Sequence, residues 1–239
     1  MQKPLTLGLL ACAFLGTALA KEAVPADGHA TLAAQNAALE KNAEHKGGEF
    51  TTLAEDSHGH GEYSGYRYSG QLSRQESKPL DAEVCKSDHG GLQVGDTIEI
   101  HYVHSTAQVA PGPTLGACLN DNLSNPQLRV EAQVFVLVND AKAADFAQLT
   151  KIGQVNGYHQ ALNIPKNAGK PVQYAGSTTG PTYNEKGSPL QVSWSVRPRV
   201  IKVNASSVGE WCKGNSFKED HAHGVRNLVV NEKVLSRIR

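Results

Sequence analysis

Hydrophobic and polar positions alternate most clearly between Leu128 and Val138. Every even-numbered position in this stretch is apolar, whereas the odd-numbered positions are polar at the start and apolar at the end. A period of two predicts a β-strand that buries its even-numbered face. The polar positions are Arg129, Glu131 and Gln133. They have two interpretations: a solvent-facing stripe of an antiparallel sheet, or a buried stripe that supports a functional site, since burial without a function would be costly.

The same alternation predicts a second strand from Asp96 to His104. His101 shares one face of this strand with Glu99, whereas His104 falls on the aliphatic face if the strand is regular.

Short extended runs and loops rich in Gly, Pro and Asn make up much of the remaining chain. Residues 190–203 predict one or two strands, interrupted at Pro198, and residues 140–149 predict one short helix. The pattern predicts a mainly β protein, with α+β as the alternative. We expect a single domain built on an antiparallel or mixed β-sheet, with long loops and few short helices.

A pair of histidines, His221 and His223, lies near the C-terminus. In an extended chain both imidazoles point to the same side, so both can bind one metal ion. The alternative is a solvated polar strand face. If the strand that carries His101 lies beside the pair, a third nitrogen becomes available, and three histidines with one open position are typical of catalytic zinc.

The polar stripe on the first strand can support such a site. A carboxylate at Glu131 or an amide at Gln133 can accept the free ring N–H of a metal-binding histidine and fix its tautomer. Arg129 can pair with Glu131.

The first 20 residues have the pattern of a secretory signal peptide. A short basic start precedes an apolar run from Leu5 to Leu19, and a small-x-small cleavage signature precedes Lys21. Residues 21–62 are predicted to form a flexible N-terminal segment, and residues 63–239 the folded domain. The expected location is the periplasm or the cell exterior, without a membrane contact after cleavage.

The balance of charge narrows the range of partners. Cleavage removes Lys3 and leaves 22 basic residues against 23 acidic ones. Nucleic acids and anionic membranes attract proteins with a basic surplus, so neither is an expected partner. A small neutral or weakly charged substrate remains open, and the sequence does not define the oligomeric state.

Three cysteines remain after cleavage, Cys85, Cys118 and Cys212. An oxidising compartment predicts one disulfide and one remaining thiol. All three pairings are open, and we favour Cys85–Cys212. Cys12 ends a stretch that faintly resembles a lipoprotein box, but the apolar run continues past it.

Four stretches together resemble the delta-class carbonic anhydrases. They occur in the family's order and span roughly Gly90 to Val230: Pro126–Asp140, Gly176–Gly180, Trp194–Pro198 and His221–Val229. The resemblance implies reversible hydration of carbon dioxide to bicarbonate and a proton by metal-bound hydroxide. It also implies a zinc cofactor, with cobalt or cadmium as substitutes.

Carried over to this chain, the resemblance implies His101, His221 and His223 as the metal-binding histidines, with His104, from the same stretch as His101, as the rival third ligand. The residues expected to assist catalysis are Glu131, Gln133 and His104.

The released proton needs an acceptor that titrates near neutrality. His104, His159 and His89 are the candidates. The alternative function is a periplasmic zinc-binding or zinc-delivery protein, which would use the same metal-binding histidines without an open position. The His58-Gly59-His60 stretch could add to such a site.

Overall fold

The computed structural model describes most of the chain from residue 70 onward. The described residues are 51–52, 64–65, 68, 70–88, 90–113, 115–123, 125–176, 187–188, 190–220, 222, 233 and 235–236. The predicted signal peptide, nearly all of the predicted flexible segment, and the histidines at 221 and 223 lie outside these residues.

Strands dominate the described residues. In chain order they are β1 (Thr51–Thr52), β2 (Ser64–Gly65), β3 (Val84–Ser87), β4 (Gly90–Leu92), β5 (Thr97–Ser105), β6 (Leu128–Val138), β7 (Ile152–Val155), β8 (Tyr158–Ala161), β9 (Val172–Gly176), β10 (Val192–Asn204) and β11 (Leu235–Ser236). The helices are a 3₁₀-helix at Leu115–Cys118, α1 (Phe146–Leu149) and α2 (Ala205–Cys212). This arrangement confirms the predicted mainly β fold.

Five strands form a central sheet in the order β11-β9-β10-β6-β5. Strand β6 pairs antiparallel with β5 and parallel with β10, so the sheet is mixed. The strand predicted at 128–138 coincides with β6, and the strand predicted at 96–104 is β5, displaced by one residue. Three two-stranded antiparallel sheets, β1–β2, β3–β4 and β7–β8, accompany the central one.

Strand β6 is buried on both faces, with Arg129 as its one half-buried residue. On one side, Val130, Ala132 and Val134 belong to an apolar cluster that includes Trp194 of β10. We call this side of the sheet the Val134 face.

The opposite side, which we call the Glu131 face, has an apolar half and a polar half. In the apolar half, Phe135 and Leu137 pack with Ile98 against residues of α1 and α2. The polar half carries the three polar side chains of β6, and cross-strand partners place residues of β5 and β10 beside them.

The predicted interruption at Pro198 is a shift of register rather than a break. Strand β10 continues through Pro198, but its pairing with β6 shifts between Arg197 and Ile201. Proline lacks the amide hydrogen that regular pairing requires, which accounts for the irregular ladder.

Both α-helices begin at side-chain caps. Asp145 accepts a hydrogen bond from the backbone N–H of Gln148 at the start of α1, and Asn204 accepts one from Ser206 at the start of α2. The predicted helix within 140–149 is the single turn α1, whereas α2 was not predicted. Neither of these helices is long and apolar enough to cross a membrane.

A disulfide joins Cys85 in β3 to Cys212 at the end of α2. It confirms the favoured pairing. Cys118 lies outside the disulfide and is fully buried. The crosslink holds the β3–β4 hairpin against α2, where Val84 also packs closely on Gly209.

We expect the disulfide to contribute strongly to stability. Because it links positions 127 residues apart, replacing Cys85 and Cys212 together by serine should lower the free energy of unfolding by about 2–5 kcal/mol. Denaturant unfolding measures this change, and Cys118→Ala, which retains the crosslink, is the control. An unfolding midpoint of the wild-type protein that reductant leaves unchanged would contradict the prediction.

Candidate active site

The two histidines of β5 lie on opposite faces of the sheet. His101 pairs with Ala132 and therefore lies on the Val134 face, whereas His104 pairs with Arg129 and lies on the Glu131 face. The backbone of β5 separates the two side chains, so one metal ion cannot take both as ligands. If His101 is the third ligand, the metal site lies on the Val134 face, and if His104 is, it lies on the Glu131 face.

His101 is positioned by a carboxylate and an aromatic ring. Its Nε2 lies 3.2 Å from Oε1 of Glu99, and the two side chains are 20% and 10% exposed, respectively. The imidazole meets Trp194 edge-on, with ring centroids 5.3 Å apart. The indole is itself fixed, because Nε1 donates a hydrogen bond to the carbonyl of Gly176 and the ring stacks on Tyr174. His101 is thus oriented, yet solvent reaches it.

His104 occupies a different environment. Its side chain is 2% exposed, and neither ring nitrogen has a hydrogen-bond partner in the described part of the chain. Burial lowers the pKa of His104 well below its ordinary value, and the positive charge of Arg129 lowers it further. The imidazole is therefore neutral at physiological pH.

A hydrogen-bonded network fills the polar half of the Glu131 face. Oε1 of Glu131 accepts hydrogen bonds from Nε of Arg197 at 2.9 Å and from Nε2 of Gln133 at 3.0 Å. Gln133 also donates to the carbonyl of Pro165, and Arg197 donates to the carbonyl of Gly169. The polar stripe of β6 is therefore a buried one, and the solvent-facing interpretation is wrong.

The structure brings some of the predicted site residues together and separates others. Glu131 and Gln133 share a face with His104, and β6 turns both away from His101. The direct partner of Glu131 is Arg197, which the sequence analysis did not single out. The sequence does offer a signal for Arg197, because this residue lies within the Trp194–Pro198 stretch that carries part of the family resemblance.

Only one of the other predicted site histidines, His159, lies within the described residues. His221, His223 and His89 lie outside the described residues, whereas Ala222 is half-buried and packs against the apolar half of the Glu131 face. His159 lies on the β7–β8 hairpin, where its Nε2 is 3.4 Å from Nε2 of Gln154. Within the described part of the chain, no three His, Cys, Asp or Glu side chains are clustered closely enough to hold a metal.

Comparison with known proteins identifies the family. The model of the delta carbonic anhydrase family matches residues 29–207, which is most of the chain. This protein belongs to the delta carbonic anhydrase family. No curated protein and no solved structure gives a significant match. The matched range includes β5, β6 and β10 and ends within α2, before His221 and His223.

We expect the Glu131 network to contribute strongly to the stability of this protein. Replacing Glu131 by glutamine leaves Arg129 and Arg197 without their shared counter-charge in a buried region, so the free energy of unfolding should fall by about 3 kcal/mol. Denaturant unfolding measures the loss. Glu210→Gln is the matched control, because the Glu210–Lys213 ion pair is exposed and its loss should cost less than about 1 kcal/mol. Equal losses in the two variants would contradict this account.

Proposed function

We propose that this member of the family is a zinc-dependent enzyme that catalyses the reversible hydration of carbon dioxide to bicarbonate and a proton. The observation that carries the proposal is the family match over residues 29–207. We further propose that the mature protein acts in the periplasm or outside the cell, because its sequence begins with a signal-peptide pattern.

The proposed metal ligands are His101, His221 and His223. The surroundings of His101 fit this role. A carboxylate beside a ring nitrogen is the usual support of a metal-binding histidine, and Oε1 of Glu99 lies 3.2 Å from Nε2 of His101, without the geometry of a hydrogen bond.

Electrostatics favours His101 over His104 as the third ligand. His104 is the cross-strand partner of Arg129, whose positive charge acts on it. Because Glu131 on the same face is already paired with Arg197, a divalent cation beside His104 would be repelled by the remaining positive charge. His101 has an acidic neighbour instead, and the negative charge of Glu99 attracts a cation.

Zinc, when bound, supplies the Lewis acidity that makes water a nucleophile near neutral pH. Cobalt and cadmium are the proposed substitutes, since imidazole nitrogen also suits other transition metals. Glu99 places a carboxylate beside the His101 ring, and Trp194 packs edge-on against that ring. The apolar side chains beside His101, Val103 and Trp194 among them, suit carbon dioxide, which carries no charge and has no hydrogen to donate.

We assign supporting roles to Glu131 and Gln133, which share a face of the sheet with His104. Gln133 donates one hydrogen bond to Glu131 and another to the carbonyl of Pro165, in the segment that precedes β9. These contacts hold that segment on the sheet, where it shields the polar half of the Glu131 face. His104 is poorly suited to accept the released proton at neutral pH because its pKa is strongly lowered. The His159 side chain, which is half-buried on a hairpin, and His89 remain the candidates for that step.

Loss of any proposed ligand should abolish both zinc binding and catalysis. We expect His101→Ala, His221→Ala and His223→Ala each to lower the rate of carbon dioxide hydration more than about 100-fold, since even residues that only support a ligand matter 10–100-fold. Stopped-flow hydration assays and metal analysis of the purified variants measure the two effects. His159→Ala should still bind zinc. A protein that binds one zinc through these histidines without hydrating carbon dioxide would instead be a zinc-binding or zinc-delivery protein.

The role of Glu99 can be tested separately. Glu99→Gln keeps the size of the side chain but removes its charge, so zinc affinity should fall about 10–100-fold while the fold is retained. Competition with a chelator measures the affinity, and circular dichroism checks the fold. Unchanged affinity would show that Glu99 does not support a ligand and would weaken the assignment of His101.

A further inference from the structure

The polar half of the Glu131 face has an excess of positive charge. Among the described residues, the charges that act on Arg129 are those of Glu131 and Arg197. The Oε1 atom of Glu131 already accepts two hydrogen bonds, from Arg197 and Gln133. Two guanidinium groups thus share one carboxylate, which leaves one positive charge uncompensated in a region where burial makes charge costly.

Unsatisfied hydrogen-bonding atoms lie where this excess charge is found. Nη2 of Arg129 is buried without a hydrogen-bond partner in the described part of the chain, and so are Nδ1 and Nε2 of His104. The two residues are direct cross-strand partners, so their Cβ atoms lie about 4.5–5.5 Å apart. Leaving buried donors and acceptors unpaired destabilises the folded protein, and a ligand that pairs them removes this cost.

Another unsatisfied atom on this face lies farther away. Oε1 of Gln133 also has no partner among the described residues, but Gln133 is four positions along β6 from Arg129. That spacing corresponds to roughly 13 Å along a strand. The unsatisfied atoms that can act on one ligand are therefore those of Arg129 and His104.

We propose that Arg129 and His104 form a binding site for a small monovalent oxyanion of the bicarbonate class, on the face of the sheet opposite His101. One negative charge balances the excess positive charge. A carboxylate-like group fits the planar guanidinium. Neutral His104 offers one N–H donor and one nitrogen acceptor, and bicarbonate carries both acceptor oxygens and an O–H donor.

The choice of bicarbonate among small oxyanions rests on the proposed function, of which it is the product. The proposal that an anion binds here does not rest on that function, because it is argued from the excess positive charge and the unsatisfied atoms. Neither residue is a proposed metal ligand, so anion binding at this site should be independent of zinc.

Thermal unfolding of the full mature protein, with and without sodium bicarbonate, tests the site. A ligand that binds only the folded state raises the melting temperature in a saturable manner. We expect a saturable rise in the zinc-loaded wild-type protein, and binding at least about tenfold weaker in Arg129→Gln, which loses a charged hydrogen-bond donor. Arg199→Gln is the matched control, since Arg199 is an exposed arginine of the neighbouring strand β10, and this variant should bind bicarbonate like the wild type.

Two further variants keep the test decisive. If Arg129→Gln does not fold, Arg129→Lys replaces it and should also weaken binding, because an ammonium group cannot reproduce the planar fork. His101→Ala should lose hydration activity but retain the Arg129-dependent stabilisation by bicarbonate. This result separates the anion site from the proposed metal site.

The following results would overturn the proposed anion site. Equal stabilisation of the wild type and the Arg129 variants, or no saturable effect in the wild type, would show that Arg129 binds no bicarbonate. Equal stabilisation by sodium chloride at the same ionic strength would show that the site does not select oxyanions. If hydration activity is present in these cases, the proposed function stands and the anion site fails. If activity is absent while Arg129-dependent binding is observed, the anion site stands and the proposed function fails.

Discussion

The hydrogen-bonded ion pair between Glu131 and Arg197 is the interaction on which the polar half of the sheet depends. Strand β6 lies in the interior with both faces covered, so a carboxylate on it must be neutralised where it stands. Arg197 does this from the neighbouring parallel strand at 2.9 Å. Because Arg197 also binds the carbonyl of Gly169, and Gln133 binds that of Pro165, the same pair fixes the segment that covers this face.

The alternation of β5 then gives its two histidines opposite surroundings. His101 lies beside an acid and an indole and is partly open to solvent, which suits a metal ligand. His104 lies beside a guanidinium in a fully buried place, which suits a hydrogen bond to an anion. His101 and His104 are three positions apart, and residues separated by an odd number of positions in a strand point to opposite faces of the sheet.

The sequence predicted the two strands that carry the candidate site residues, because their alternation is long and regular: β6 coincides with 128–138, and β5 is displaced by one residue. It could not predict which strands pair, so the placement of Arg197 beside Glu131 and the distance of Glu131 from His101 were out of reach. Helix α2 was missed because its apolar positions continue directly from a strand and its cap, Asn204, also ends β10. The predicted zinc ligands His221 and His223 lie outside the described residues and stay predictions.

The most direct test of this account is a crystal structure of the zinc-loaded protein with anomalous diffraction measured at the zinc edge. We predict one strong peak on the Val134 face, about 2.0–2.1 Å from a ring nitrogen of His101 and within the same coordination sphere as His221 and His223. A peak at His104, or a zinc ion without His101 among its ligands in an active enzyme, would contradict the account.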